Sequence, residues 1–206
     1  MQTKHYTDDL LPLIKALCGV EFAAIELPRI QAMVNRRAKR AFRSSNYWTR
    51  FLKIGEERTV TSSVVPYTQS GLDAIDTFLR IHKQNPYQAS SVQEFDIMVT
   101  LAGARIISGT LAPTSAWVTY KKQFTDTFGD GTGSTTTAVP DEWFEYLAHG
   151  TYADFLRAEG QQEKAALADQ ESLDILQDEL MRLDEQHTQT IVSQRIMTNA
   201  NMQLRY

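Results

Sequence analysis

The chain has one cysteine in 206 residues, Cys18, so no internal disulfide can brace it and an oxidising compartment is not indicated. Cys18 reads as a small apolar residue of a first helix. Long hydrophobic runs are missing too, and no window approaches the roughly eighteen continuous apolar residues of a membrane helix. Met1-Gln2-Thr3-Lys4-His5 leads into Asp8-Asp9 where a secretory leader has an apolar core, so a soluble, untargeted chain made in a cytoplasm is expected, with no membrane partner. Histidine is scarce: His5, His82, His149 and His187 fall on unrelated segments, with no pair at metal-ligand spacing and no cysteine companion.

Catalytic and ligand-binding patterns are lacking in the same way. The stretch from Asp126 to Thr137 has carboxylates at the first and fifth positions of a calcium loop and Gly131 at the sixth. Phe128 at the third position and Thr137 at the twelfth remove an oxygen ligand and the bidentate glutamate, which leaves a plain loop. Gly129, Gly131 and Gly133 lack the lysine and hydroxyl of a phosphate-binding loop. No serine elbow or Cys-His arrangement occurs. Carboxylates four apart on one helix face, such as Asp174 and Asp178, read as a solvated surface. No catalytic residue, cofactor or metal is therefore expected.

What is present is an ordinary globular apolar fraction, 42%, enough to bury a core, and a net charge of -4 that hides a strong asymmetry. Arg29 to Arg58 holds nine basic residues against two acidic, and Asp141 to Glu185 holds thirteen acidic against three basic. The segment after Glu185 has no acidic residue at all.

Periodicity organises the chain into helices over about 7–18, 28–45, 141–158 and 161–187. Leu10, Leu13, Ile14 and Leu17 make the first stripe, with Thr7 as N-cap and Gly19 as the stop. In the second helix Ile30, Met33, Val34, Ala38, Ala41 and Phe42 share one face, and Arg36, Arg37, Lys39, Arg40 and Arg43 share the other. Leu173, Leu176, Leu180 and Leu183 form a short heptad seam in the last helix, which Asp169 interrupts. Between the second and third helices lies a β insertion over about 56–124. It has a strand over Arg58 to Val65, a strand or helical turn over Ala74 to His82, a hairpin over Glu94 to Ser108 turning at Ala102-Gly103, and a strand over Ala116 to Lys121. A Gly/Thr-rich flexible loop is expected over 128–138. The fold class is mainly α with a β insertion (α+β), a helical bundle with a small antiparallel sheet. Residues 1–188 form the domain, and 189–206 form an extended C-terminal arm too poor in apolar residues to fold alone.

The residues Trp143, Tyr146-Leu147, Gly150, Tyr152-Ala153, Phe155-Leu156, Glu159-Gly160-Gln161 and Glu163-Lys164-Ala165, together with Asn35, Trp48 and Ala116 to Lys122, give a pattern that resembles the head-to-tail adaptor proteins of tailed bacteriophages. The resemblance implies a non-enzymatic virion protein of the neck, made in the host cytoplasm. It implies a homo-oligomeric ring, usually of twelve copies, between the portal protein and a tail or nozzle protein, around a channel for DNA. It also implies that the C-terminal arm docks on the portal, through Ile191, Ile196, Met197, Met202, Leu204 and Tyr206. The basic face of Arg36, Arg37, Lys39, Arg40 and Arg43 is then expected to meet the acidic last helix of its own or a neighbouring subunit, or to line the lumen and touch passing DNA non-specifically. Two alternatives remain open at this stage: a tail-tube or tail-terminator ring component, and a small cytoplasmic enzyme whose site carries no recognisable motif.

Overall fold

Proline placement and apolar spacing set the helices. A computed structural model of the chain describes residues 4–88, 93–107, 113–125, 127–128 and 137–203, with side chains described as far as residue 186. It has helix α1 (Leu11–Cys18), α2 (Leu27–Ser44), α3 (Asp141–Ala158) and α4 (Gln162–Gln203). Pro12 and Pro28 lie in the first turns of α1 and α2, where a missing N–H costs nothing. The α+β class read from the sequence holds. The chain divides into two compact units, Met1–Ser45 with Asp126–Tyr206, and Asn46–Thr125, so the β insertion is a unit in its own right.

In the helical unit α3 is the central element and packs against α1, α2 and α4. Its buried residues Trp143, Tyr146, Leu147, Ala148, Gly150, Ala153 and Leu156 point in several directions around the axis, as suits a helix enclosed by others. By contrast α2 is one-sided: Ile30, Val34, Arg37, Ala38, Ala41 and Phe42 are buried, at three-and-four spacing. Ahead of α1 a single π-helical turn, Tyr6–Leu10, buries Tyr6 and Leu10. Strand β1 (Lys4–His5) pairs antiparallel with a short strand at Ala138–Val139, designated β8 after the six strands of the other unit.

Two boundaries differ from the sequence reading. The loop expected to be flexible from residue 128 is anchored there: Phe128 is fully buried and stacks on Tyr6. The Asn35 amide donates to the Phe128 carbonyl at 3.0 Å and accepts from its N–H at 2.8 Å. The remainder of that loop, 129–136, lies outside the described residues, as does Asp126. The last helix also does not stop at 187. The backbone is helical to Gln203, because nothing between His187 and Gln203 is a proline or glycine that would break it. An extended arm from residue 189 is thus replaced by helix, and the side chains of Ile191, Ile196, Met197, Met202, Leu204 and Tyr206 lie outside the described residues.

The β unit holds two three-stranded antiparallel sheets where a single small sheet is expected. One orders β2 (Leu52–Thr59), β7 (Ser115–Lys122) and β4 (Ile75–His82); the other orders β3 (Val64–Pro66), β6 (Gly103–Ile107) and β5 (Asp96–Thr100). Val65, Ile81, Ala104, Ile106, Val118 and Tyr120 belong to its core, which draws on both sheets. The run Arg58 to Val65 is not one strand, because Ser62 and Ser63 take φ values of 51° and 64° and turn the chain from the first sheet into the second. Period-two patterning cannot see a turn built from two serines. Gly103 closes the β5–β6 hairpin at φ 142°, and a Cβ there would lie 2.0 Å from the Val65 carbonyl oxygen.

Candidate functional site

The five cations read from the sequence as one face of α2 separate into one that points inward and four that point outward. Arg36, Lys39, Arg40 and Arg43 are exposed and recur at i, i+3, i+4 and i+7, the spacing of a single helix stripe. Arg37 falls one residue off that stripe and turns into the core, with 4% of its side chain exposed. Its membership of an outer basic face is therefore corrected: it is the ion-pair centre of the helical unit.

Three helices converge on it. Arg37 Nε and Nη2 donate to the two oxygens of Asp154 on α3, at 3.0 and 2.8 Å, a forked contact on a carboxylate that is only 3% exposed. Its Nη1 donates to Asp169 Oδ1 on α4 at 2.6 Å. Arg157 then bridges the same two carboxylates, at 3.1 Å to Asp154 and 3.3 Å to Asp169. Arg36, 69% exposed, places Nη2 2.8 Å from Asp154 Oδ2. Gly150 makes the room, since a Cβ on it would stand 3.1 Å from Arg37 Cδ and 3.2 Å from its Nε.

Protonation follows from this geometry. Burial alone raises the carboxyl pKa of Asp154, but the hydrogen bonds and charges of Arg37 and Arg36 outweigh it and hold Asp154 below its ordinary value. Asp169 is lowered in the same way by Arg37 and Arg157, against a smaller burial. Burial disfavours the charge on Arg37, yet the two aspartates more than offset this and raise its pKa. Asp154, Asp169 and Arg37 are therefore all held in their charged forms at neutral pH, and the cluster sets three guanidinium groups against two carboxylates.

The outward stripe lines an open groove of about 700 Å3 on the helical unit, with Asn35 and Thr127 among its walls. Arg36 is already engaged with Asp154. Among the described residues no carboxylate pairs with Lys39, Arg40 or Arg43. No protein-family model and no curated protein matches this chain.

The β unit has a polar cluster of its own that the sequence reading missed. Arg58 is fully buried in β2 and lies over the Tyr120 ring at 4.5 Å. Its Nη2 donates to Glu56 at 2.8 Å and to the Tyr120 oxygen at 2.6 Å, and the Tyr120 hydroxyl donates to Glu56 at 2.6 Å. Burial and then the bond to Glu56 push the Tyr120 phenol up, so it stays a neutral donor. Glu56, Arg58 and Tyr120 brace β2 against β7. His82, buried on β4, meets the Thr119 hydroxyl at 3.1 Å, and burial lowers its pKa.

The other candidates remain apart. His149 faces Glu171 at 3.4 Å, and among the described residues no group of histidine, cysteine or carboxylate side chains is placed to hold a metal ion. Cys18 is half-buried, and burial pushes its thiol up to about 11, so it is protonated and unreactive at neutral pH. No described helix is long and apolar enough to cross a membrane. Asp154 and Asp169 were the residues that sequence reasoning did not assign. The signals were there: Asp154 sits inside the apolar run of α3, and Asp169 is the residue that breaks the leucine seam of α4.

Proposed function

We propose that the chain is a structural virion protein, a head-to-tail adaptor whose ring joins the portal to the tail and keeps the DNA channel continuous. The observation that carries this reading is the length of α4. Its 42 residues amount to about 63 Å of helix against about 27 Å for the 18 residues of α3, the helix it packs on. Helices in proteins owe most of their stability to tertiary packing, so a helix more than twice as long as its intrachain partner points to a partner in an assembly. The described part of α4 also exposes Leu167 and Met181.

The residues that carry the resemblance support the same reading. Of those in the α3–α4 hairpin, Trp143, Tyr146, Leu147, Gly150, Ala153, Leu156 and Ala165 are buried, Tyr152 and Phe155 are half-buried, and Glu159, Gly160, Gln161, Glu163 and Lys164 around the turn between the helices are exposed. In the proposed ring the far half of α4, which carries Ile191, Ile196, Met197 and Met202, docks on the portal together with Leu204 and Tyr206, which follow it in sequence. The exposed cations of α2 face the channel or a neighbouring subunit.

Mass photometry of the purified chain, alone and with the portal ring of the same phage, tests the proposal. The expected result is a gain of about 280 kDa on the portal, twelve chains of 23.4 kDa in a closed cyclic ring. An unchanged portal mass at every protein concentration discards it.

A further inference from the structure

We infer that the exposed stripe of α2 is a binding site for the phosphodiester backbone of double-stranded nucleic acid, independent of base sequence. The inference rests on α2 and its groove alone and does not depend on the ring proposed above.

Three observations lead to it. First, Lys39, Arg40 and Arg43 are exposed on one face and have no carboxylate partner among the described residues, so their charge is available to a ligand. Second, the buried ion-pair cluster fixes the helix that presents them. Arg37, next to Arg36 and turned inward, is bonded to both α3 and α4, and Arg36 is tied to Asp154, so the stripe is held by the core beneath it. Third, the stripe is linear. From Arg36 to Arg43 it extends about 10 Å along the helix axis, over which a duplex offers about six phosphates. Asn35 and Thr127 add polar groups to the groove, and Ala32 is its one apolar lining residue. A bilayer headgroup site would need apolar side chains beside the cations to enter the membrane, and the groove has none of useful size.

The acidic face of α4 on a second copy is the competing occupant. Three of its eight described carboxylates already have partners, whereas no ion pair engages Glu163, Asp174, Asp178, Asp184 or Glu185 among the described residues. Asp169 is engaged by Arg37 and Arg157, Glu171 by His149 and Glu179 by Arg182. The exposed residues Leu167 and Met181 further interrupt that face as a row of charge. A regular polyanion matches the stripe better.

The test is fluorescence anisotropy of a short labelled duplex of arbitrary sequence, at protein concentrations where mass photometry finds the monomer. Three phosphate contacts predict a slope of log K against log salt of about -2.7, which is about a 40-fold loss of affinity between about 50 and 200 mM salt. A triple variant, Lys39→Gln with Arg40→Gln and Arg43→Gln, should keep its circular dichroism and thermal midpoint, because all three side chains are exposed. It should lose most of the binding, and each single variant should lower the slope by about one. The inference is overturned if the wild-type chain does not bind the duplex at low salt, or if the triple variant binds with an unchanged slope. It is equally overturned if the stripe instead drives salt-sensitive self-association that the triple variant abolishes, which would assign the face to a subunit contact.

Discussion

Arg37 on α2 and Asp154 on α3, 117 positions apart in sequence, form a forked ion pair at 3.0 and 2.8 Å in which both side chains are almost wholly buried. A buried pair of this kind adds little net stability compared with an apolar replacement of both partners, but removing one partner leaves a charge stranded in the core. Asp154→Asn is therefore expected to destabilise the helical unit by about 3–5 kcal/mol. Asp169→Asn, at a carboxylate that keeps 23% exposure, should cost less, about 1.5–3 kcal/mol. Urea unfolding followed by helical circular dichroism checks the order. Equal losses at the two positions would mean that burial does not set the cost.

Gly150 offers a test of sign. Glycine to alanine in a helix interior ordinarily gains up to about 1 kcal/mol. Here the added methyl meets the Arg37 side chain at 3.1 Å, and that side chain cannot yield because Asp154 and Asp169 hold it. Gly150→Ala is expected to destabilise the protein by about 1–3 kcal/mol. In an Arg37→Met background, where the guanidinium is gone, the same substitution should become neutral or stabilising. A loss of the same size in both backgrounds refutes the proposed contact.

Acid should affect the two units at different pH. His82 has its pKa lowered from 6.5 by burial, so the unfolded chain binds more protons there, and its contribution is present above pH 6.5 and lost as pH falls through the folded value. Asp154 and Asp169 are lowered from 3.8, so their contribution holds above that pH and disappears only as pH falls through their folded values. Amide exchange measured across an acid series should show the β unit weakening first, below pH 6.5. A His82→Gln variant that leaves the early loss unchanged would remove His82 as its cause.

Deletion of residues 189–206 is expected to leave the helical unit folded, since among the described residues Ala165, Ala168, Ser172 and Leu176 of α4 are buried in it and are retained. On the adaptor reading the same deletion abolishes portal binding in the mass measurement. A truncated protein that still adds its ring to the portal would sink the docking role of Ile191, Ile196, Met197, Met202, Leu204 and Tyr206.

Local chemistry made much of this architecture readable in advance. Pro12 and Pro28 early in their helices, Gly19 after the first, and apolar residues at three-and-four spacing marked α1, α2 and α3 to within a few residues. Alternation with β-branched residues marked β5, β6 and β7, while β4, whose apolar residues fit both periods, was left between strand and helical turn, and the charge asymmetry between α2 and the last helix is a property of composition alone. Those signals are all short-range: a helix face or a strand period is encoded within a dozen residues. Which cation leaves the surface is not. Arg36 and Arg37 are identical side chains on adjacent positions, and only the packing of α3 and α4 on α2, with Gly150 vacating space and Asp154 and Asp169 supplying charge, puts one in the core and keeps the other in solvent. The serine turn between β2 and β3, which splits one apparent strand over two sheets, was likewise decided by the pairing of Val64 and Val65 with β6. Long-range partners set these outcomes, and no local pattern in the chain specifies who those partners are.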